Sequence, residues 1–437
     1  MSNVAPAAAP RTVGVGMLGL GTVGSAVARR LIEHWELLHA RSGDAAPVLR
    51  HVAVRDAGKQ RDLDLKNVRL DGDALAVVED PAVEIVVEVM GGIDPALSLI
   101  ERALSLGKTV VTANKAVVAA HGPRLWSLGT AHGAGLWFEA AVGAGLPVVA
   151  LLRDSMRGDR ITSIDAVING TTNMVLTRMR EEGVTLDTAL ANAQRRGYAE
   201  ADASADIDGW DAAQKLVIMA WLGAGVAVSL DDVDLAGIGA LDRVDLGYTG
   251  QLGYAVRLLA HLEARAGGAV HLRVRPTAVP AGHPLFDVDD AANALLVAAD
   301  LAGTVTLRGL GAGGDSTASA VVSDIINAVQ HPGAQPVPPH AAPTFVLGPE
   351  DVDVSGYVRL RLTDTDEARQ LTLQALADRG VPVVEALDKP PIDGPFPQLL
   401  VLTGMAPRAV HDRALETLDS LAVVREVACA LDRIPPP

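Results

Sequence analysis

The stretch TVGVGML at residues 12–18 runs directly into Gly19-Leu20-Gly21-Thr22-Val23-Gly24. The first part is a short apolar run of strand length, and residues 23–32 carry apolar side chains at helical spacing. A glycine turn between a strand and a helix points the unpaired N–H groups of the helix start, with their partial positive charge, at an anion. In such a turn Gly19 permits the tight reversal, Gly21 lets a pyrophosphate approach the backbone, and Gly24 lets helix and strand pack closely. The stretch reads as a dinucleotide cradle, with Thr22 and Val23 opening the helix. A plain strand-to-helix turn is the alternative that six residues alone leave open.

Working outward, residues 48–54, 84–89 and 109–112 read as further strands, and 97–106 as a helix stopped at Gly107. Strands alternating with helices predict a parallel sheet with right-handed crossovers. From residue 136 the texture is mixed. Residues 136–141, 161–168, 271–279 and 294–301 read as strands, and 174–181, 185–195, 211–222 and 250–264 as helices. Residues 331–350 are rich in proline and lack periodicity, which predicts a linker. Beyond it, residues 356–362, 366–378, 381–386, 398–404, 407–418 and 423–431 alternate in the order βαββαβ, the split ferredoxin-like unit. That order resembles the small ligand-sensing modules called ACT domains. The expected fold is therefore an α/β Rossmann-type domain over 11–135, completed by 305–330, with an α+β substrate-binding and dimerisation domain over 136–304 and an ACT-like module over 351–437.

Composition narrows the function. Thirty-seven Lys and Arg stand against 53 Asp and Glu, a net charge of −16 that disfavours nucleic acid as a partner. The longest apolar runs fall far short of the ~18 residues a membrane span needs. Residues 1–10 are rich in Ala and Pro without a basic region before an apolar core, so they read as a lead-in and not a signal peptide. The single cysteine, Cys429, excludes both an internal disulfide and a Cys-rich zinc site and suits the cytoplasm.

Several segments carry chemistry. The second strand leads to Arg55 and then Asp56, Lys59 and Arg61. An arginine there suits the 2′-phosphate of NADP, whereas an acid suits the ribose of NAD, so the sequence leans to NADP and leaves NAD open. Asn114 and Lys115 follow a strand of the nucleotide domain, where loops at carboxyl ends line the ligand crevice; a surface lysine is the plain alternative. Glu139-Ala140-Ala141-Val142-Gly143-Ala144-Gly145-Leu146-Pro147 joins one acid to a pliable backbone whose carbonyls suit a hard cation, although a salt-bridged turn explains it equally. Asn169-Gly170-Thr171-Thr172-Asn173 is a polar run before a helix and matches a capping sequence. Asp211 and Lys215 are i,i+4 neighbours at the head of a helix whose following residues, 216–222, are apolar on every side. Desolvation there suits the amine to acid–base work. Glu200, Asp202, Asp206 and Asp208 precede the pair; a solvated acidic loop is the plain alternative, while their mutual repulsion favours a cationic ligand such as a substrate ammonium.

Together these segments resemble homoserine dehydrogenase over residues 13–329. The carrying strings are GLGTVG, Glu88-Val89-Met90-Gly91-Gly92, TANK ending at Lys115, EAAVGAGLP from Glu139, NGTTN from Asn169, GYAEAD from Gly197, DGWDAAQK ending at Lys215, and a late Gly311-Ala312-Gly313-Gly314. The resemblance implies NAD(P)-dependent interconversion of L-homoserine and L-aspartate 4-semialdehyde, within threonine, methionine and isoleucine biosynthesis. It implies that Lys215 exchanges a proton with the alcohol oxygen and that Glu200 and Asp211 hold the amino acid. Asp206 lies near them with Asn169, Gly170 and Thr171, and Lys115 lies between cofactor and substrate. It implies cofactor contacts from Gly91 and Gly313 beside those of the first turn. It also implies a monovalent cation, sodium, on Glu139, Val142, Ala144 and Leu146, and a homodimer or homotetramer. The chain departs from the family at Ala203, where proline is usual, and at Ser316. In the C-terminal module Asp364-Thr365-Asp366-Glu367 replaces the usual Asp-x-Pro-Gly turn, which puts effector sensing by that turn in doubt. A nucleotide- and amino-acid-binding regulator without chemistry, or a dehydrogenase for another amino acid such as aspartate, are the competing readings; NGTTN and GYAEAD speak against the latter.

Overall fold

The computed structural model describes residues 11–43, 45–56, 58–333, 345–365, 367–392 and 395–436. Its chain divides into two compact units. One comprises 1–158, 217–230 and 309–341; the other comprises 159–216, 231–308 and 342–437.

The first unit is built on a parallel sheet of β1 (Arg11–Leu18), β2 (Ala45–Ala53), β3 (Arg69–Asp71), β4 (Ile85–Glu88), β5 (Thr109–Thr112) and β6 (Leu136–Trp137), in the order β3-β2-β1-β4-β5-β6. This is the doubly wound arrangement, in which strand order reverses between β1 and β4 and opens a crevice beyond their carboxyl ends. Leu18 pairs with Ala53 on one side and Glu88 on the other. The strands are near-continuous apolar runs because helices cover both faces. Helix Ala96–Ser105 buries Ala96, Leu99, Ile100, Ala103 and Leu104, a single stripe at helical spacing. Helix Gly314–Gln330 joins the same core late in the chain, packing Val321 and Ile325 with Val15, Val27 and Val52.

Residues 136–141 were expected to form one strand of the middle domain. Only Leu136 and Trp137 are extended, and they pair with β5 of the first sheet. The backbone then turns into the short 3-10 helix Glu139–Ala141, closed by Ala141 N–H donating to the Phe138 carbonyl.

The second unit is a mixed sheet with further helices. Its strands are β7 (Ile161–Val167), β8 (Val233–Leu235), β9 (Tyr254–Ala264), β10 (Ala269–Pro280), β11 (Ala292–Ala299), β12 (Gly303–Leu310), β13 (Phe345–Val346), β14 (Asp353–Leu362), β15 (Val383–Lys389), β16 (Gln398–Thr403), β17 (Ala406–Pro407) and β18 (Val424–Arg433). The order is β12-β11-β7-β9-β10-β18-β14-β16-β15, with β8 and β13 on β10 and β17 on β14. The helix expected over 250–264 is a strand over most of its length. Helix Arg243–Gln251 ends at its start, and β9 pairs with β10 along its full run and with β7 on its other edge. A central strand buried on both faces shows the same unbroken apolar pattern as a buried helix, so periodicity cannot separate the two. Strand β12 had no counterpart in the sequence reading. It lies at the end of the sheet order, with alternate residues exposed. The expected linker falls largely outside the described residues, although Phe345 and Val346 pair with β10.

The C-terminal elements follow the order βαββαβ: β14, helix Ala368–Asp378, β15, β16, helix Arg408–Ser420 and β18. Their strands lie as β18-β14-β16-β15 over a core of Val358, Leu360, Leu376, Leu399, Val401 and Leu418. Arg359 of β14 binds Asp245 of helix Arg243–Gln251 through two hydrogen bonds, 2.6 and 2.8 Å long, with both side chains buried.

Candidate active site

In the first unit, the turn after β1 has the geometry that a phosphate cradle requires. Gly19 sits at φ +102°, a conformation that side-chain-bearing residues rarely adopt. A Cβ on Gly24 would stand 2.3 Å from the Gly19 carbonyl oxygen, so helix Thr22–Glu33 can lie this close to the turn only without a side chain. A Cβ on Gly21 would meet no protein atom within 4 Å, which leaves that position open to a ligand. The amide of Gly19 donates to the Ala53 carbonyl, so the end of β2 lies beside the cradle. Arg55 and Asp56 follow it and are exposed. Asp56 Oδ1 accepts from Gly58 N at 2.9 Å, while Arg61 closes the loop on the Asp56 and Lys59 carbonyls.

A buried polar chain fixes the loops after β4 and β5, and the sequence reading missed its centre. The carboxylate of Glu88 accepts from Met90 N at 2.8 Å, Gly91 N at 3.3 Å and Thr112 Oγ1 at 2.6 Å. Thr112 Oγ1 in turn accepts from Asn114 N, and Asn114 Nδ2 donates to the Gly92 carbonyl at 2.6 Å. Asn114 also caps helix Lys115–Ala131 by accepting from Val117 N. Gly91, Asn114 and the half-buried Lys115 are thereby held in one framework. The available signal was an acid ending an apolar strand run, which must be satisfied locally when buried. Gly313, at φ +121°, precedes helix Gly314–Gln330, and a Cβ on Gly314 would stand 2.9 Å from Thr22 Cγ2; the late loop thus abuts the first turn.

Residues 139–146 form a loop that is buried except at Gly145. Glu139 accepts from Val149 N and Ala150 N at 2.8 Å each, and its own N–H donates to Asp324 Oδ2 at 2.8 Å. Burial raises the Glu139 carboxyl above its usual range and lifts that of Asp324 to about 8. Ala144 holds φ +50°, a left-handed turn in a residue that carries a side chain. Each Glu139 oxygen accepts one backbone N–H in this arrangement, which leaves acceptor capacity on both. Among the described residues no group of three or more His, Cys, Asp or Glu side chains is placed to hold a metal.

In the second unit, Asn169, Asp206, Asp211 and Lys215 converge. Helix Trp210–Ala224 carries Asp211 and Lys215 on successive turns, and Lys215 Nζ donates to Asp211 Oδ2 and to the Ile168 carbonyl, both at 2.8 Å. Asn169 Nδ2 donates to Asp206 Oδ1 at 2.6 Å and Asp211 Oδ2 at 2.8 Å. Lys215 and Asp211 are 9% and 8% exposed, so the ion pair is shielded from bulk water. Burial raises the Asp206 carboxyl, and the amide of Asn169 pulls it back in part. Gly170 opens helix Gly170–Glu182, and Thr171 Oγ1 donates to the Tyr198 carbonyl. Glu200 stands apart from these contacts: its carboxylate is exposed, and its carbonyl receives Gln194 Nε2. Asn173 and Arg257, which sequence reasoning did not single out as a pair, anchor this helix. Asn173 Nδ2 donates to the carbonyls of Val288, Asp290 and Ala292, while the fully buried Arg257 donates to Asn173 Oδ1 and Asp289.

An ammonium held beside carboxylates in a shielded pocket can exchange a proton with a bound hydroxyl. The comparisons with known proteins bear on the family. Residues 19–139 match the family model described as homoserine dehydrogenase, NAD binding domain, and residues 147–326 match the homoserine dehydrogenase model. A homoserine dehydrogenase of Synechocystis is 39% identical over 433 residues, which is 95% of this chain and 98% of that relative. One from Corynebacterium glutamicum is 42% identical over 73% of this chain and 72% of its own. The crystal structure of a homoserine dehydrogenase from Thiobacillus denitrificans superposes with a TM-score of 0.90 at 33% identity, covering 97% of this chain and 98% of that one. A hyperthermophilic archaeal homoserine dehydrogenase in complex with NADPH has a TM-score of 0.62 at 30% identity, over 74% of this chain and all of its own. With the dinucleotide fold and the buried lysine already established, these likenesses show that the chain belongs to the homoserine dehydrogenase family, NAD(P)-dependent oxidoreductases acting on a CH–OH group.

Proposed function

We propose that Lys215 is the acid–base group of the interconversion of L-homoserine and L-aspartate 4-semialdehyde. The observation that carries this reading is the shielded contact of Lys215 with Asp211 and the Ile168 carbonyl. In the oxidative direction, neutral Lys215 takes the hydroxyl proton as the C–H hydride leaves; in reduction the ammonium returns a proton to the carbonyl oxygen. Asp211 orients the amine and, with Asp206, faces the substrate ammonium; it is the family resemblance alone that assigns Glu200 the same partner. The family resemblance assigns Gly170 and Thr171 to the substrate and gives Lys115 a part in the reaction.

The first unit suits a dinucleotide. Gly19, Gly21, Thr22, Val23 and Gly24 would hold the pyrophosphate, with Gly91, Asn114 and Gly313 around it. When bound, the nicotinamide supplies the hydride acceptor or donor. Arg55, exposed beyond the end of β2, favours NADP, and Asp56 beside it leaves NAD open. The loop from Glu139 through Val142, Ala144 and Leu146, which joins one buried acid to a left-handed turn at Ala144, is the segment that the family resemblance assigns to a monovalent cation, sodium. The C-terminal βαββαβ order supports an ACT-like module. The family resemblance supports a cytoplasmic homodimer or homotetramer serving threonine, methionine and isoleucine biosynthesis.

The test is the absorbance of reduced nicotinamide with the purified full chain, homoserine, and NADP or NAD in turn. Reduction of either confirms the activity, faster with NADP if the cofactor reading holds. Absence of reduction with both rejects it.

A further inference from the structure

The carboxamide of Asn169 is engaged at both ends. Oδ1 accepts from Thr172 N at 2.8 Å and from Thr172 Oγ1 at 3.0 Å, while Nδ2 donates to Asp206 and Asp211. Both donors of the carboxamide are taken by the two acids, while its oxygen accepts from Thr172 N and shares the single Thr172 hydroxyl proton with the Asn169 backbone carbonyl. The orientation is also fixed. A backbone N–H can only donate, so the oxygen must face Thr172 and the nitrogen must face the two acids.

Asp211 Oδ2 receives Asn169 Nδ2 and Lys215 Nζ together, each at 2.8 Å. The neighbouring residue, Ile168, holds Lys215 Nζ with its carbonyl. Two consecutive residues following β7 therefore grip the amine, one through its backbone and one through Asp211. Their platform is rigid, because Asn173 ties the same helix to three carbonyls of residues 288–292 and to Arg257.

We propose that Asn169 is a positioning residue: its amide holds Asp206 and Asp211 side by side and, through Asp211, sets where the Lys215 amine lies, rather than gripping substrate. The proposal rests on the reading of Lys215 as the acid–base group. The charged groups around the amide are Asp206, Asp211 and Lys215, with Glu200, Asp202 and Asp208 on the loops beside them.

Two variants of the full-length enzyme test it. Asn169→Asp keeps an oxygen to cap Thr172 but turns a second oxygen toward two carboxylates. Asn169→Ser keeps a capping oxygen of another kind and lacks the two donors. The expected result for Asn169→Asp is a loss in kcat of ~10²-fold or more, with KM for homoserine and for dinucleotide within about threefold. Both variants should move the acid limb of the kcat–pH profile upward by about one unit, because ionised acids have lost their donors. A tenfold or greater rise in the homoserine KM with an unmoved pH profile would mean that Asn169 holds substrate, and would overturn the proposal. So would parental kcat in both variants. Lys215→Ala assayed in parallel separates the two claims, since near-parental turnover there removes the lysine reading, and the present proposal with it, whatever the Asn169 variants do.

Discussion

Lys215 Nζ and Asp211 Oδ2 meet at 2.8 Å across one helical turn, with side-chain exposures of 11% and 10%. An exposed pair of this spacing contributes only about 0.3–0.5 kcal/mol and calls for no special explanation. A shielded one at the start of an apolar helix is costly to desolvate, which points to a role beyond stability. Lys215→Ala is expected to lower kcat by ~10²-fold or more while dinucleotide affinity stays near that of the parent. Steady-state kinetics and a fluorescence titration with NADPH read the two effects separately, and turnover close to parental would contradict the assignment.

The turn after β1 predicts a contrast between two neighbouring glycines. Gly24→Ala drives a Cβ to 2.3 Å from the Gly19 carbonyl oxygen, so the helix must shift. Overpacking of that kind costs about 1–3 kcal/mol, and the melting temperature should fall accordingly. Gly21→Ala meets no protein atom within 4 Å. It should melt close to the parent yet bind NADPH at least ~10-fold more weakly, a loss of about 1.4 kcal/mol, if the pyrophosphate occupies that space. Equal melting temperatures for the two variants would show that the close approach at Gly24 is not what holds the helix.

Arg55 provides the test of cofactor choice. Arg55→Ala should lower kcat/KM for NADP by ~10-fold, equivalent to about 1.4 kcal/mol, and leave the value for NAD little changed. An equal fall with both cofactors would remove Arg55 from the 2′-phosphate.

His271 on β10 supplies a pH prediction. Burial, reinforced by Arg273, lowers its pKa from 6.5 to about 4. Between those values the unfolded chain binds a proton that the folded chain does not, so stability rises with pH across the window and is lost as pH falls through it. The full effect is of order 3 kcal/mol. Replacing His271 with Gln should flatten the pH dependence of the denaturant midpoint between about 4 and 6.5, and an unchanged slope would assign the acid sensitivity to other groups.

The nucleotide unit was largely legible because its signals are local. A strand, a glycine turn and a helix occupy neighbouring residues, and periodicity marks each of them. The Lys215–Asp211 pair was legible for the same reason, being spaced by a single turn. What escaped depends on partners distant in the chain. Asn169 lies 37 residues from Asp206 and 42 from Asp211, so its capping role was visible beside Thr172 but its second role was not. Glu88 and Thr112 likewise meet across 24 residues. Strand β9 was misjudged because Val256, Leu258, Leu259, Ala260 and Leu262 are buried whichever way they point, and only the pairing with β7 and β10 decides the backbone.

One edge of β10 is lined in pieces: β13 at Ala269–Val270, β8 at Leu272–Val274 and β18 at Thr277–Ala278. Each piece is too short to hold alone, and two of them come from the final hundred residues. Shortening the chain before residue 345 would therefore do more than delete the βαββαβ elements. It would bare main-chain donors and acceptors at both ends of a long strand, a template on which another molecule can add and aggregate. Any truncation of the tail must contend with that liability, and point changes on the surface of the βαββαβ elements offer the safer way to probe them.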